Sequence, residues 1–158
     1  MIVIGYQGIG KSTLAVRDHR YIDLESGNFW VDGERADNWY KTYCNIAEHL
    51  SQQGYIVFVS SHEVVRRRLE YSNELVVLVY PHEELRNAWI DKLNARYRET
   101  GLVKDYKALM NAAERYNENI CELEAEENFD GKLVIRRMDY DLEATLIHFI
   151  NEREREHG

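Results

Sequence analysis

The chain has 158 residues, 44% apolar and 30% charged, enough to bury a sizeable core in one domain and too apolar for a disordered segment. A net charge of −8 argues against a broad nucleic-acid or anionic-membrane surface, while leaving room for a local basic pocket. Cys44 and Cys121 lie far apart without metal-ligand spacing and read as reduced thiols, and the six histidines form no H-x-x-x-H pair, so no transition-metal site is expected.

Taken in order, Ile2-Val3-Ile4 is an apolar run too short for a helix and suited to a strand buried on both faces. Gly5-Tyr6-Gln7-Gly8-Ile9-Gly10-Lys11-Ser12 then matches G-x-x-x-x-G-K-[ST], the P-loop pattern, and Thr13-Leu14-Ala15-Val16 continues as a helix. Glycines let successive backbone N–H groups turn inward around phosphate oxygens in conformations a Cβ would penalise. Lys11 can then reach the β- and γ-phosphates, the Ser12 hydroxyl can ligate Mg²⁺, and the helix N-terminus adds its positive dipole end. A dinucleotide fingerprint read from Gly8 fails, because Thr13 stands where the third small residue belongs. With a strand opening at residue 2 there is no room for a signal peptide, and no apolar run approaches ~18 residues, so an intact cytoplasmic protein is expected.

Residues 20–25 form a second strand ending in Asp23 and Glu25; Ser26-Gly27-Asn28 and Asp32-Gly33 are turns around the aromatic pair Phe29 and Trp30. Trp39, Tyr43, Ile46, Ala47 and Leu50 recur at helical spacing up to Gly54. Strand three covers 55–60, and Ser60 or Ser61 is placed to cap a helix carrying Arg66, Arg67 and Arg68. Strand four, 75–80, is closed by Pro81, and a helix over 83–98 ends at Thr100-Gly101. An apolar stripe through Tyr106, Leu109, Met110, Ala113, Tyr116, Ile120 and Leu123 reads as core. Leu133-Val134-Ile135 is a fifth strand; Leu142, Leu146, Ile147 and Ile150 mark a last helix, with 151–158 a frayed tail.

Strands alternating with helices predict an α/β fold with a five-stranded parallel sheet and helices on both faces, whose ligand sits beyond the carboxyl ends of the strands. That rule gathers Asp23, Glu25, Ser60, Ser61 and His62 around the P-loop. Asp23 and Glu25, two apart on a strand, share a face and can divide Mg²⁺ support from the orientation of an acceptor hydroxyl.

The order of P-loop, acidic end of strand two, helical insertion and basic helix after strand four resembles the adenylate-kinase-like group of P-loop NTPases, small nucleoside- and nucleotide-kinase-like proteins above all. The resemblance implies a three-layer P-loop NTPase fold over 1–158, strand order 2-3-1-4-5, residues 26–54 closing over an acceptor and a short lid region at 82–101. It implies ATP and Mg²⁺ as cofactors and phosphoryl transfer to a small metabolite, a nucleoside or nucleotide. Gly5, Gly8, Ile9, Gly10, Lys11, Ser12 and Thr13 would bind nucleotide, with Arg137 near the adenine. Ser12 and Asp23 would serve the metal, and Glu25 and Arg66 the acceptor; Lys11, Asp23 and Arg96 would be catalytic. Two departures stand out: strand three ends in Ser60-Ser61-His62 rather than an acid, and no separate lid domain is visible.

Two of these residues have plainer readings. Glu63–Arg67 and Arg66–Glu70 at i,i+4 would make the triple arginine a solvated helix face, and Arg96 could pair with Glu99 or another acid. Lys92 and Arg96, one turn apart, share a face beside the Thr100-Gly101 hinge, and Arg98 is the next cation along. A nucleotide-binding regulator or NTPase without an acceptor is the alternative function; a polynucleotide end kinase is disfavoured by the acidic balance.

Overall fold

Strand β1 (Ile2–Gly5) is buried at every residue, as is β4 (Val76–Pro81), so neither face of the sheet they belong to meets solvent there. That is why these runs are continuously apolar instead of alternating. The computed structural model describes residues 1–30 and 34–157. The expected turn at Asp32-Gly33 lies outside the described residues. The five strands β1, β2 (Tyr21–Asp23), β3 (Ile56–Val59), β4 and β5 (Gly131–Ile135) are all parallel, in the order β2-β3-β1-β4-β5. This is the order that the resemblance implies. Ile2 pairs with Val57 on one side and Val76 on the other, which puts Gly5, Asp23 and Val59 at one end of the sheet.

Helix α1 (Lys11–Arg17) follows β1, α2 (Trp39–Gln52) precedes β3, and α3 (Glu63–Leu69) follows it. Helices α4 (Arg86–Thr100) and α5 (Val103–Glu124) pack on one another between β4 and β5, and α6 (Leu142–His157) closes the chain. Gly54 (φ +95°) and Gly101 (φ +64°) end α2 and α4 in the left-handed region, the positions where the sequence places helix stops. No helix among the described residues is long and apolar enough to cross a membrane.

Four expectations change. The tail is not frayed: α6 continues to His157, supported by Arg155 with Glu152 at 2.9 Å and by Arg153 reaching Asp130 at 3.5 Å. Neither Ser60 nor Ser61 caps α3; His62 holds the cap position, and its Nδ1 lies 2.7 Å from Ser60 Oγ. In α5 the buried face runs at helical spacing through Asp105, Ala112, Tyr116, Ile120 and Leu123, while Tyr106, beside it, is 46% exposed.

The fourth concerns the triple arginine: Arg67 stays on a solvated face, but Arg66 does not. Arg66 is buried, donating to Glu126 at 2.7 Å, Glu122 at 3.2 Å and the Ser61 carbonyl at 3.0 Å. Arg67 pairs with Glu70 and Glu126, and Arg68 with Glu48. These links tie α3 to the end of α5 and to α2. Because Arg66 and Glu126 are both withdrawn from water, removing Glu126 leaves the buried guanidinium with only the half-exposed Glu122 as its counterion. Glu126→Ala is therefore expected to cost about 3 kcal/mol or more in urea unfolding; a change below about 1 kcal/mol would mark the pair as no stronger than a surface one.

Candidate functional site

A cleft of about 1060 Å³ opens where β1, β2 and β3 end, and its floor is the turn from β1 into α1. Gly8 (φ +89°) and Gly10 (φ +107°) take left-handed conformations there. Lys11 Nζ folds back to the Gly5 carbonyl at 3.1 Å. Among the described residues, no backbone or side-chain acceptor takes the N–H of Gly8 or Gly10.

Of the residues expected to bind nucleotide, Gly5, Gly8, Gly10, Lys11 and Ser12 line the cleft. Ile9 is buried behind it and the Thr13 side chain is exposed outside it. Asp23, Glu25, Ser60, Ser61 and His62 line it too, as strand-end residues should. Buried Tyr43 locks two strand ends together: its hydroxyl donates to the Leu24 carbonyl at 2.7 Å and accepts from the Ser60 N–H at 2.8 Å.

Arg96 reaches the cleft from α4. Its Nη2 donates to Ser12 Oγ at 2.7 Å and its Nε to Asp105 at 3.1 Å, so its acid partner is buried Asp105 and not Glu99. Thr100 Oγ1 also donates to Asp105, fixing the carboxylate at the hinge between α4 and α5. Lys92 shares the helix but turns elsewhere, donating to the Tyr140 hydroxyl at 2.8 Å. Arg98 is exposed. Arg137 is held by Asp139 at 3.0 Å with its side chain 80% exposed, and the structure does not bring it into the cleft. Arg66 lines the cleft with its guanidinium already committed to Glu122, Glu126 and Ser61.

Residues with no expected role complete the wall. Lys104, Asp105 and Lys107 come from the first turn and a half of α5, and Lys104 meets Glu25 at 3.2 Å. Arg35 lies over Trp39 at 3.9 Å and Trp30 at 4.7 Å, with Lys107 5.4 Å from the Trp30 ring centre. The signal for the α5 group was two lysines three apart just past a glycine hinge. Arg35 had none, since its place depends on how the insertion packs. Among the described residues, seven Lys and Arg line the cleft against five Asp and Glu, in a chain of net charge −8. The local basic pocket allowed by composition is there.

Burial is the main influence on the central ionisable groups. It holds the Lys11 ammonium below its ordinary pKa, opposed by Asp23 and Glu25 and reinforced by Arg96 and Lys104. It lifts the Asp23 carboxyl above 3.8, opposed by Lys11 and reinforced by Glu25. It lowers the His62 imidazole, with Arg35, Lys11 and Arg66 adding to the effect.

No family model matches the chain, and no curated protein is significantly similar to it. Among solved structures, the crystal structure of an uncharacterized protein from Eubacterium ventriosum aligns with 96% of this chain and 97% of its own, at 12% identity and a TM-score of 0.50. The likeness is one of fold alone.

Asp23 gives a stability test. A carboxyl whose pKa is raised on folding stabilises fully below its unfolded value and loses that contribution as pH rises through its folded value. Asp23→Asn is thus expected to melt above the parent at pH 7, with the gap closing below pH 3.8. A lower melting point than the parent at pH 7 would mean that attraction to Lys11 outweighs the cost of burial.

Proposed function

We propose that this chain is a P-loop phosphotransferase of the adenylate-kinase-like group, using ATP and Mg²⁺ in the cytoplasm to phosphorylate a small acceptor, a nucleoside or nucleotide. One observation carries the reading: the Gly5–Ser12 turn joins the central strand to α1 at the floor of a basic cleft, where Lys11, Ser12, Asp23 and Arg96 converge.

The free N–H groups of the turn would cradle the β- and γ-phosphates, with Lys11 beside them. Ser12 and Asp23 fit Mg²⁺, a hard cation needing only one or two protein oxygens because phosphate and water complete its shell. Bound there, it would neutralise charge on the phosphate oxygens. Transfer forms a bond from the acceptor oxygen to the γ-phosphorus and breaks the bond to the departing ADP oxygen. The acceptor's hydroxyl proton goes to Glu25, which lines the cleft beside Asp23 and leaves that carboxylate to the metal. Arg96, oriented by Asp105, supplies a planar donor pair for the equatorial oxygens.

For the acceptor, the Trp30 ring with Arg35 and Lys107 near its centre offers an aromatic surface and cations together, suited to a base carrying a phosphate. Those two cations take the role expected of Arg66. The Ser60-Ser61-His62 end of β3, without a carboxylate, favours a second reading: a nucleotide-binding regulator or an NTPase with no acceptor.

ATP with Mg²⁺ at ~100-fold its dissociation constant is expected to add about 2.7 kcal/mol, a rise of roughly 5–10 °C in melting temperature. Lys11→Ala should abolish most of that rise. ADP release should then depend on adding a nucleoside or, preferentially, a nucleoside monophosphate; release at the same rate without any acceptor would support the second reading. Arg96→Lys should slow turnover by about tenfold or more with nucleotide affinity nearly kept. A turnover within a factor of about two of the parent would make Arg96 a structural partner of Asp105.

A further inference from the structure

Three carbonyls of the turn, those of Gly5, Gln7 and Ile9, each accept a hydrogen bond from a side chain. Lys11 serves Gly5 from within the turn. The other two donors come from distant parts of the chain: Trp89 Nε1, in α4, donates to the Gln7 carbonyl at 2.9 Å, and the Tyr140 hydroxyl, between β5 and α6, donates to the Ile9 carbonyl at 2.7 Å. Lys92 Nζ donates to the Tyr140 oxygen at 2.8 Å, which leaves the hydroxyl proton committed to Ile9. The same ammonium lies 4.4 Å from the Trp89 ring centre and 4.8 Å from that of Tyr140, and the two rings stack at 6.0 Å. Burial there, and then Arg96, lower the Lys92 pKa to about 8, so it remains mainly charged at neutral pH.

The geometry of the peptide unit gives these bonds a consequence. In a planar trans peptide the carbonyl and the next N–H point in opposite directions. Holding the Gln7 carbonyl toward Trp89 sends the Gly8 N–H the other way, and holding the Ile9 carbonyl toward Tyr140 does the same for Gly10. Gly8 and Gly10 line the cleft, whereas Trp89 and Tyr140 lie outside it. Glycines flanking such units rotate at little cost, so an unpinned turn would sample orientations with carbonyls facing the cleft. We infer that Trp89 and Tyr140 are positioning residues for phosphate binding, holding two carbonyls of the turn away from the cleft so that the Gly8 and Gly10 N–H groups face it, with Lys92 acting through Tyr140. This rests on the phosphate-binding reading of the cleft.

Inorganic tripolyphosphate is the probe, titrated calorimetrically into the parent and variants well below their melting temperatures. Tyr140→Phe keeps the ring and removes only the hydroxyl; it should weaken binding about three- to tenfold, the range for one lost hydrogen bond. It should also displace the Gly10 amide resonance while those of Gly54 and Gly101 stay in place. Lys92→Met should weaken binding on its own and add nothing in the Tyr140→Phe background, because the two act in series. Tyr140→Phe binding within twofold of the parent, or weakened binding with the Gly10 amide unmoved, would overturn the inference while the parent's own binding upholds the phosphate site. Additive effects of the two substitutions would remove Lys92 from the relay. A parent that does not bind tripolyphosphate overturns the site and the inference together.

Discussion

Helix α4 rests directly on a glycine, and much of the cleft follows from that contact. A Cβ on Gly8 would lie 2.8 Å from Leu93 Cδ2 and 3.1 Å from Trp89 Nε1, at a backbone angle of +89° that already disfavours side chains. Gly8 is thus needed twice, for its conformation and for the space beside it. With Trp89 and Leu93 fully buried against the turn, α4 is fixed in position along its length. That brings Arg96 beside Ser12 two turns after Trp89. The glycine at 101 then reverses the chain so that the first turns of α5 deliver Lys104, Asp105 and Lys107 to the same cleft. Residues 82–101 thus contribute Leu93 and Arg96 to the lining of the cleft.

The opposite wall is set by aromatic packing. Phe29, Trp39 and Tyr43 meet with ring centres 5.4–6.1 Å apart, and His62 meets Trp39 edge-on at 5.5 Å. Edge-to-face contacts of this kind fix ring orientation as well as position. Tyr43 therefore holds its hydroxyl where it can join Leu24 to Ser60. The cluster explains how Phe29 and Trp39 come to share one wall. Arg66, joined to Glu126 and Glu122, closes the floor between α3 and α5 in the same way. Its charge is spent on holding helices together, which is why it makes a poor ligand for an acceptor phosphate.

The sheet was legible because its evidence is local. Continuous apolar runs at Ile2–Gly5 and Val76–Pro81 can only be strands covered on both faces, and glycines stop helices where the pattern ends. The floor of the cleft was legible for the same reason: eight adjacent residues carry it. The walls depend on packing between segments far apart in the chain. Asp105 and Arg96 are joined across a hinge, Glu126 finds Arg66 across sixty residues, and Tyr140 reaches Ile9 across more than twice that. No periodicity encodes such pairings. The triple arginine shows the hazard: i,i+4 spacing offered helix-surface partners, yet acids from α2 and the end of α5 won, because burying α3 puts them within reach. The α5 stripe misled for a related reason. Apolar spacing alone does not say which side of α5 packs: Asp105 turns inward to Arg96 and Thr100, so Tyr106 beside it faces out.

The electrostatics of the cleft work against the fold that holds it. Burial pushes Lys11 and Asp23 in opposite directions, each toward its neutral form, so the fold resists both charges at once. Their mutual attraction recovers part of that cost, yet Arg96 and Lys104 act against Lys11 from the other wall. A core selected for stability alone would replace such groups with apolar ones of similar volume. Here they are kept, with donors fixed by Asp105 and by the peptide orientations of the turn. An anionic ligand entering this arrangement would offset the repulsion among Lys11, Arg96 and Lys104 without requiring any of them to move far. Its binding would therefore draw on strain already present in the folded protein, and the donors would lose little freedom in meeting it.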